Sequence, residues 1–310
     1  MTVALAGSKA AGESEMTLRR LELTVTRTLD GLLHGDYRGL VPGAGSEAGE
    51  GRLYQPGDDV RRIDWNLTAR TTVPHVRDTV AERELETWFV VDGTASLDFG
   101  TARYEKRWLA MTAVAAFGFL AARGGNRVGA VVYDHEGAKV LPPRTGRAAV
   151  HGLLRRLDQR GRAGEGTTPL ADALRKVRHL ARRRGLVVVI SDLIDDSDWP
   201  GELRALATRH DVVVCQPRDP REDQLPPVGL LMVVDPETGR RREVQTSSPK
   251  LRARFAEAAA AQRVDALAKV RGAGAAHLDL STDRAWLLDV VRFVVARRRM
   301  TAGTAPHPGR

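Results

Sequence analysis

The chain has 310 residues, 42% hydrophobic and 28% charged, which fits a globular protein of one large domain or two modest ones. A single cysteine, Cys215, excludes an internal disulfide, and the longest uncharged apolar run, Leu109 to Ala122, is too short to span a bilayer. The net charge of +9 invites a nucleic-acid reading, but the arginines are dispersed and no aromatic residues interleave with them, so solvated helix faces and helix ends explain the charge better.

Residues 1–15 read as a disordered leader that lacks the basic start and apolar core of a signal peptide, which points to a cytoplasmic protein. Between residues 17 and 34, Leu18, Leu21, Val25, Leu29, Leu32 and Leu33 fall near one helical face, so this segment is predicted to be an amphipathic helix. It opens an accessory lobe over residues 16–83 and is followed by a Gly-rich loop from Gly35 to Gly51. In that lobe Asp58, Asp59, Arg61, Asp64, Arg70, Glu82 and Arg83 are interleaved with Tyr54, Ile63 and Trp65. A buried charge needs a partner, so these residues are expected to form a structural network of partly buried ion pairs. The alternative, Asp59 or Asp64 as a catalytic base, lacks a nearby His, Ser or Cys to complete it.

The main domain is expected over residues 84–300. Trp88-Phe89-Val90-Val91 is a short apolar run that suits a buried parallel strand and stops at Asp92. Thr94 and Ser96 follow, alternating with Gly93 and Ala95, so three oxygen-bearing side chains can converge in a tight turn. Such hard donors suit Mg²⁺ or Ca²⁺, and ligands of open α/β sheets bind beyond the carboxyl ends of the strands. The alternative is that the same residues only cap the turn or the next helix.

A helix from Tyr104 to Arg123 is predicted next, stopped by Gly124-Gly125. A strand over Arg127–Tyr133 turns at Asp134–Gly137 into a return strand over Ala138–Leu141, with His135 exposed in the turn. A helix over Arg147–Asp158 places Val150, Leu153, Leu154 and Leu157 on one face. The Gly-rich loop from Gln159 to Thr168 lacks the phosphate-binding P-loop pattern and leads into a helix opened by Pro169 and ending in basic residues through Arg184. Gly185 to Asp192 is the clearest buried strand and also ends in Asp, so Asp92 and Asp192 are predicted to share one sheet edge on neighbouring strands. The remainder reads as helix Trp199–His210, strand Asp211–Gln216, a hairpin turning at Pro236–Gly239, helix Pro249–Arg271, strand Ala275–Leu280 and helix Thr282–Arg299, capped by Ser281 or Thr282, before a disordered tail at 301–310. Alternating strands and helices define a doubly wound, mostly parallel sheet preceded by a small N-terminal lobe.

The run YQPGDDVRRIDWNLTAR from Tyr54 to Arg70, then Glu82-Arg83, then a strand ending in D-x-T-x-S, resembles the bacterial "domain of unknown function 58" family, whose members carry a von Willebrand factor A-like domain. Two departures stand out: the segment before Tyr54 lacks the family's Phe, and Leu97 stands where the family often has Met. The sequence GTTPL matches the family's Gly-x-Thr-x-Leu loop, and the resemblance thereby implies a metal-ion-dependent adhesion site made of Asp92, Thr94, Ser96, Thr168 and Asp192. The implied cofactor is Mg²⁺, with Ca²⁺ or Mn²⁺ as alternatives. The implied partners are a MoxR-type AAA+ ATPase and a client protein that supplies a carboxylate, with the chain as a non-catalytic adaptor or co-chaperone in assembling or remodelling complexes. A phosphohydrolase using Asp92 as nucleophile would want an acid two residues on, where Thr94 stands. A basic nucleic-acid-binding protein is the third reading.

Overall fold

The structure, a computed structural model, describes residues 19–27, 51–55, 60, 63–77, 85–161, 164, 166 and 168–302. Residues 19–27 form helix α1. The lobe that follows pairs β1 (Gly51–Leu53) with β2 (His75–Arg77), antiparallel, around α2 (Trp65–Thr71). Along the chain then come β3 (Glu86–Asp92), α3 (Lys106–Arg123), β4 (Arg127–Asp134), β5 (Gly137–Thr145), α4 (Arg147–Asp158), α5 (Leu170–Leu180), β6 (Gly185–Ile190), α6 (Trp199–Ala207), β7 (Asp211–Arg218), α7 (Pro220–Asp223), the hairpin β8 (Leu230–Val234) and β9 (Arg241–Gln245), α8 (Pro249–Gly272), β10 (Ala276–Ser281) and α9 (Trp286–Ala302).

The main sheet has six strands in the order β10-β7-β6-β3-β4-β5, with β5 antiparallel and the others parallel. This is a doubly wound sheet of the von Willebrand factor A-like type, as the strand pattern predicts. Every residue of β3 is buried, and its side chains alternate between two cores. Phe89 and Val91 face a core made with α1, α3, α4 and α9, whereas Trp88 and Val90 face one made with α5, α6 and α8. Helix α3 is buried nearly all round, which is why its sequence is apolar on every side from Leu109 to Ala121. Gly185 lets β6 start against β3: a Cβ there would lie 1.9 Å from the Glu86 carbonyl oxygen.

Helix α1 joins the main core through Leu21 and Val25, and its Glu22 pairs with Arg147 and with His151 (2.9 Å) on α4. The rest of the predicted 17–34 helix lies outside the described residues. Several boundaries differ from expectation, three of them by four residues. Helix α5 ends at Leu180, so Arg182, Arg183 and Arg184 belong to the connection into β6. Strand β5 runs on to Thr145. Helix α9 starts at Trp286, because the expected cap hydroxyls are used elsewhere: Thr282 donates to Asp219 and Ser281 to Asp283, each at 2.6 Å.

Candidate functional site at the sheet switch point

Strands β3 and β6 are parallel neighbours, with Val91 paired to Ile190. The helices that follow them, α3 and α6, pack on opposite faces of the sheet, so the two outgoing loops part and leave a crevice at the strand ends. Asp92 is the last residue of β3, and Asp192 lies two residues beyond β6; both are buried. The two carboxylates predicted to share an edge do so.

The loop after Asp92 is held by its backbone. The Gly93 N–H donates to the Tyr133 carbonyl at 2.7 Å, and a Cβ on Gly93 would meet that oxygen at 2.9 Å, so glycine permits the crossing. The Thr94 N–H donates to Asp92 Oδ1 at 2.8 Å, and a short 3-10 turn over Ala95–Asp98 carries Ser96. The Thr94 and Ser96 hydroxyls are then 2.9 Å apart and both buried. Arg160 clamps the loop from outside, donating to the Gly93 carbonyl and to Asp98 Oδ1 (2.8 Å).

On the other side the chain leaves β6 through Leu193, which sits in the left-handed region at φ 62°. This turn lets the Leu193 N–H reach Ser191 Oγ (3.2 Å) and the Ile194 N–H reach Asp192 Oδ1 (3.1 Å). Ser191 Oγ in turn donates to Asp92 Oδ2 at 3.0 Å and links the two strand ends. Asp192 Oδ2 receives the Lys106 ammonium at 2.9 Å from the first turn of α3. Lys106 also donates to Glu222 Oε1 at 2.5 Å, and Glu222 is fixed by accepting the Asp219 N–H at 2.9 Å.

Thr168 lies just before α5, and its hydroxyl donates to the Asp134 carbonyl at the end of β4, at 2.6 Å. It does not cap α5: the Leu170 N–H goes to Asp195 Oδ2 (2.9 Å). In the accessory lobe Asp64 is the N-cap of α2, accepting from Asn66 and Leu67 N–H at 3.1 Å each, and Arg70 stands in the last turn of that helix. Trp65 is 69% exposed, so at this position the expected burial among charges is not found. Asp58, Asp59, Arg61, Glu82 and Arg83 lie outside the described residues.

The electrostatics are those of crowded acceptors. Burial, and next the charge of Asp192, push the Asp92 carboxyl up to about 6. Glu237, in the turn between β8 and β9, is pushed up to about 7 by burial and then by Asp192 and Asp92. Burial alone would lower the Lys106 ammonium; Asp192 and Glu222 outweigh it and hold that proton firmly. The Thr94 hydroxyl is within reach of Ser96, Asp92 and Glu237 but has only one proton to give. The buried Tyr133 hydroxyl lies against Asp92 and Ser191 without a well-formed hydrogen bond.

An oxygen-rich, proton-poor crevice of this kind matches the donor chemistry of a hard cation. Among the described residues no three Asp, Glu, His or Cys side chains converge closely enough to hold an ion by themselves. The hydroxyls of Thr94 and Ser96 would therefore have to be direct ligands, with Asp92 and Asp192 acting mainly through water. Lys106, Ser191, Arg160 and Glu237 escaped the sequence reading. Only Lys106 left a trace there, as one of the two cations, Lys106 and Arg107, ahead of a long apolar run.

Sheet order and strand-end crevice define a doubly wound α/β protein with a von Willebrand factor A-like sheet. The chain belongs to the family described as "Protein of unknown function DUF58", whose model matches residues 50–265. It is 53% identical over 283 residues to the uncharacterized protein Rv1480 of Mycobacterium tuberculosis, covering 91% of this chain and 89% of that one. Among solved structures it is similar to an aerotolerance-related membrane protein from Bacteroides fragilis, at 12% identity and a TM-score of 0.43, over 70% of this chain and 99% of the other. A von Willebrand factor type A protein from Catenulispora acidiphila superposes with a TM-score of 0.35 at 14% identity, over 74% of this chain and 43% of the other. Superpositions this loose say nothing about function.

Proposed function

We propose that this chain is a metal-dependent protein-interaction module without catalytic activity of its own, serving in the cytoplasm as an adaptor or co-chaperone for a MoxR-type AAA+ ATPase. The observation that carries the metal reading is the buried Thr94–Ser96 hydroxyl pair, 2.9 Å apart, beside two strand-end carboxylates. Thr94 and Ser96 would hold a Mg²⁺-class ion directly; Asp92, Asp192 and Thr168 would orient its waters and the loops. When bound, the ion supplies a Lewis-acidic position that a partner's Asp or Glu can fill. The ATPase partner rests on the family resemblance alone. No described helix is long and apolar enough to cross a membrane.

Phosphoryl transfer from Asp92 is the weaker reading, because Thr94 occupies the position where a leaving group would need an acid, and its hydroxyl is a poor proton donor near neutral pH. The test is the affinity of purified chain for the purified ATPase in Mg²⁺, for wild type, Ser96→Ala and Asp92→Ala. The proposal expects a loss of about tenfold or more in both variants. Equal affinities would place the interaction surface elsewhere, and turnover of a phosphate ester abolished by Asp92→Asn would replace the proposal with the hydrolase.

A further inference from the structure

The turn of the β8–β9 hairpin reaches back over the strand ends. Asp235 builds that turn: its Oδ1 accepts the Glu237 N–H at 3.0 Å, its Oδ2 accepts the Thr238 hydroxyl at 2.5 Å, and its carbonyl accepts the Gly239 N–H at 2.9 Å. The Glu237 carbonyl is then tied down by the Gly166 N–H at 2.7 Å, from the loop that precedes Thr168. Asp235, Pro236 and Thr238 are exposed around it, but Glu237 is half-buried. Its carboxylate lies within reach of the Thr94 hydroxyl and in the field of Asp92 and Asp192.

This placement is electrostatically costly as it stands. Among the described residues no cation pairs with Glu237, and the charges it faces are of its own sign. Lys106, the ammonium near the site, is committed to Asp192 and Glu222. A carboxylate held by its own turn in the field of two others, within reach of a hydroxyl already assigned as a ligand, stands where a partner's carboxylate would stand.

We propose that Glu237 is a ligand supplied by the chain itself: its carboxylate joins the ion held by Thr94 and Ser96, so the β8–β9 hairpin closes the site and a partner's acidic residue must displace it. This inference rests on the metal reading above. It assigns the hairpin a role as an internal stand-in for the partner. The hairpin is suited to movement, because Leu230, Met232 and Val234 along β8 are each about half exposed rather than packed in a core, at 63%, 51% and 49%.

The experiment uses the full chain and Mg²⁺ alone. Calorimetric titration gives the ion's affinity, and hydrogen–deuterium exchange reads the amides of residues 235–240 with and without the ion. In wild type, Mg²⁺ is expected to slow exchange across the turn. In Glu237→Gln the affinity is expected to fall by about tenfold and the added protection to vanish. Glu243→Gln, an exposed change on the same hairpin away from its tip, should behave like wild type. Equal Mg²⁺ affinity and equal protection in wild type and Glu237→Gln would overturn this inference and leave the metal site standing. No Mg²⁺ binding by wild type would overturn both.

Discussion

Lys106 Nζ stands 2.9 Å from Asp192 Oδ2, and the lysine side chain is only 1% exposed. The pair ties the first turn of α3 to the loop after β6, across the crevice that Asp92 borders. A buried charge that loses its partner is stranded, so Lys106→Met should cost on the order of 3–5 kcal/mol, read from urea unfolding of the metal-free protein. A cost under ~1 kcal/mol would mean that Asp192 finds another donor or water.

The Asp92 carboxyl makes a prediction with a definite sign. Its folded value of about 6 lies above the ordinary 3.8, so the folded state holds the proton more tightly than the unfolded chain does. Ionising it therefore costs stability: the loss sets in as pH rises through the ordinary value and is complete once pH passes the folded one, at most on the order of 3 kcal/mol. The groups facing it are Asp192, Glu237 and Tyr133, with Lys106 behind Asp192. From about pH 3.5 up to about pH 7, metal-free wild type should lose stability relative to Asp92→Asn. Parallel stability curves for the two proteins would show that Asp92 titrates normally.

Asp64 was expected to be an ion-pair partner, with a correspondingly large cost on removal. The structure uses its carboxylate as the N-cap of α2, where two backbone N–H groups are satisfied. Asp64→Ala should therefore cost at least about 1 kcal/mol, the usual value of a helix cap. A loss under ~0.5 kcal/mol in urea unfolding would contradict the cap, and one above ~3 kcal/mol would show the expected buried ion pair beside it.

Much of this site can be read in the chain because it is local. An apolar strand that stops at Asp92, hydroxyls spaced two apart after it, and a second strand running out at Asp192 are patterns within short windows. The neighbouring of β3 and β6 follows from the switch-point rule for doubly wound sheets. What could not be read is long-range. Ser191 bridges to Asp92 from the other strand, Arg160 reaches Gly93 from beyond α4, and Glu237 lies in a turn whose residues are those of any exposed hairpin. The start of α9 was misplaced for a related reason: Thr282 has the chemistry of a cap, but Asp219, 63 residues away, takes its proton.

The central claim is that the Thr94–Ser96 pair holds a divalent ion, and calorimetric titration of the chelator-treated chain with Mg²⁺ tests it most directly. The account predicts saturable binding at one site in wild type, weakened by about tenfold or more in Ser96→Ala, with the metal-free melting temperature of the variant close to that of wild type. An absence of saturable binding in wild type, or equal affinity in Ser96→Ala, would contradict it and leave the strand-end oxygens as a brace for their loops.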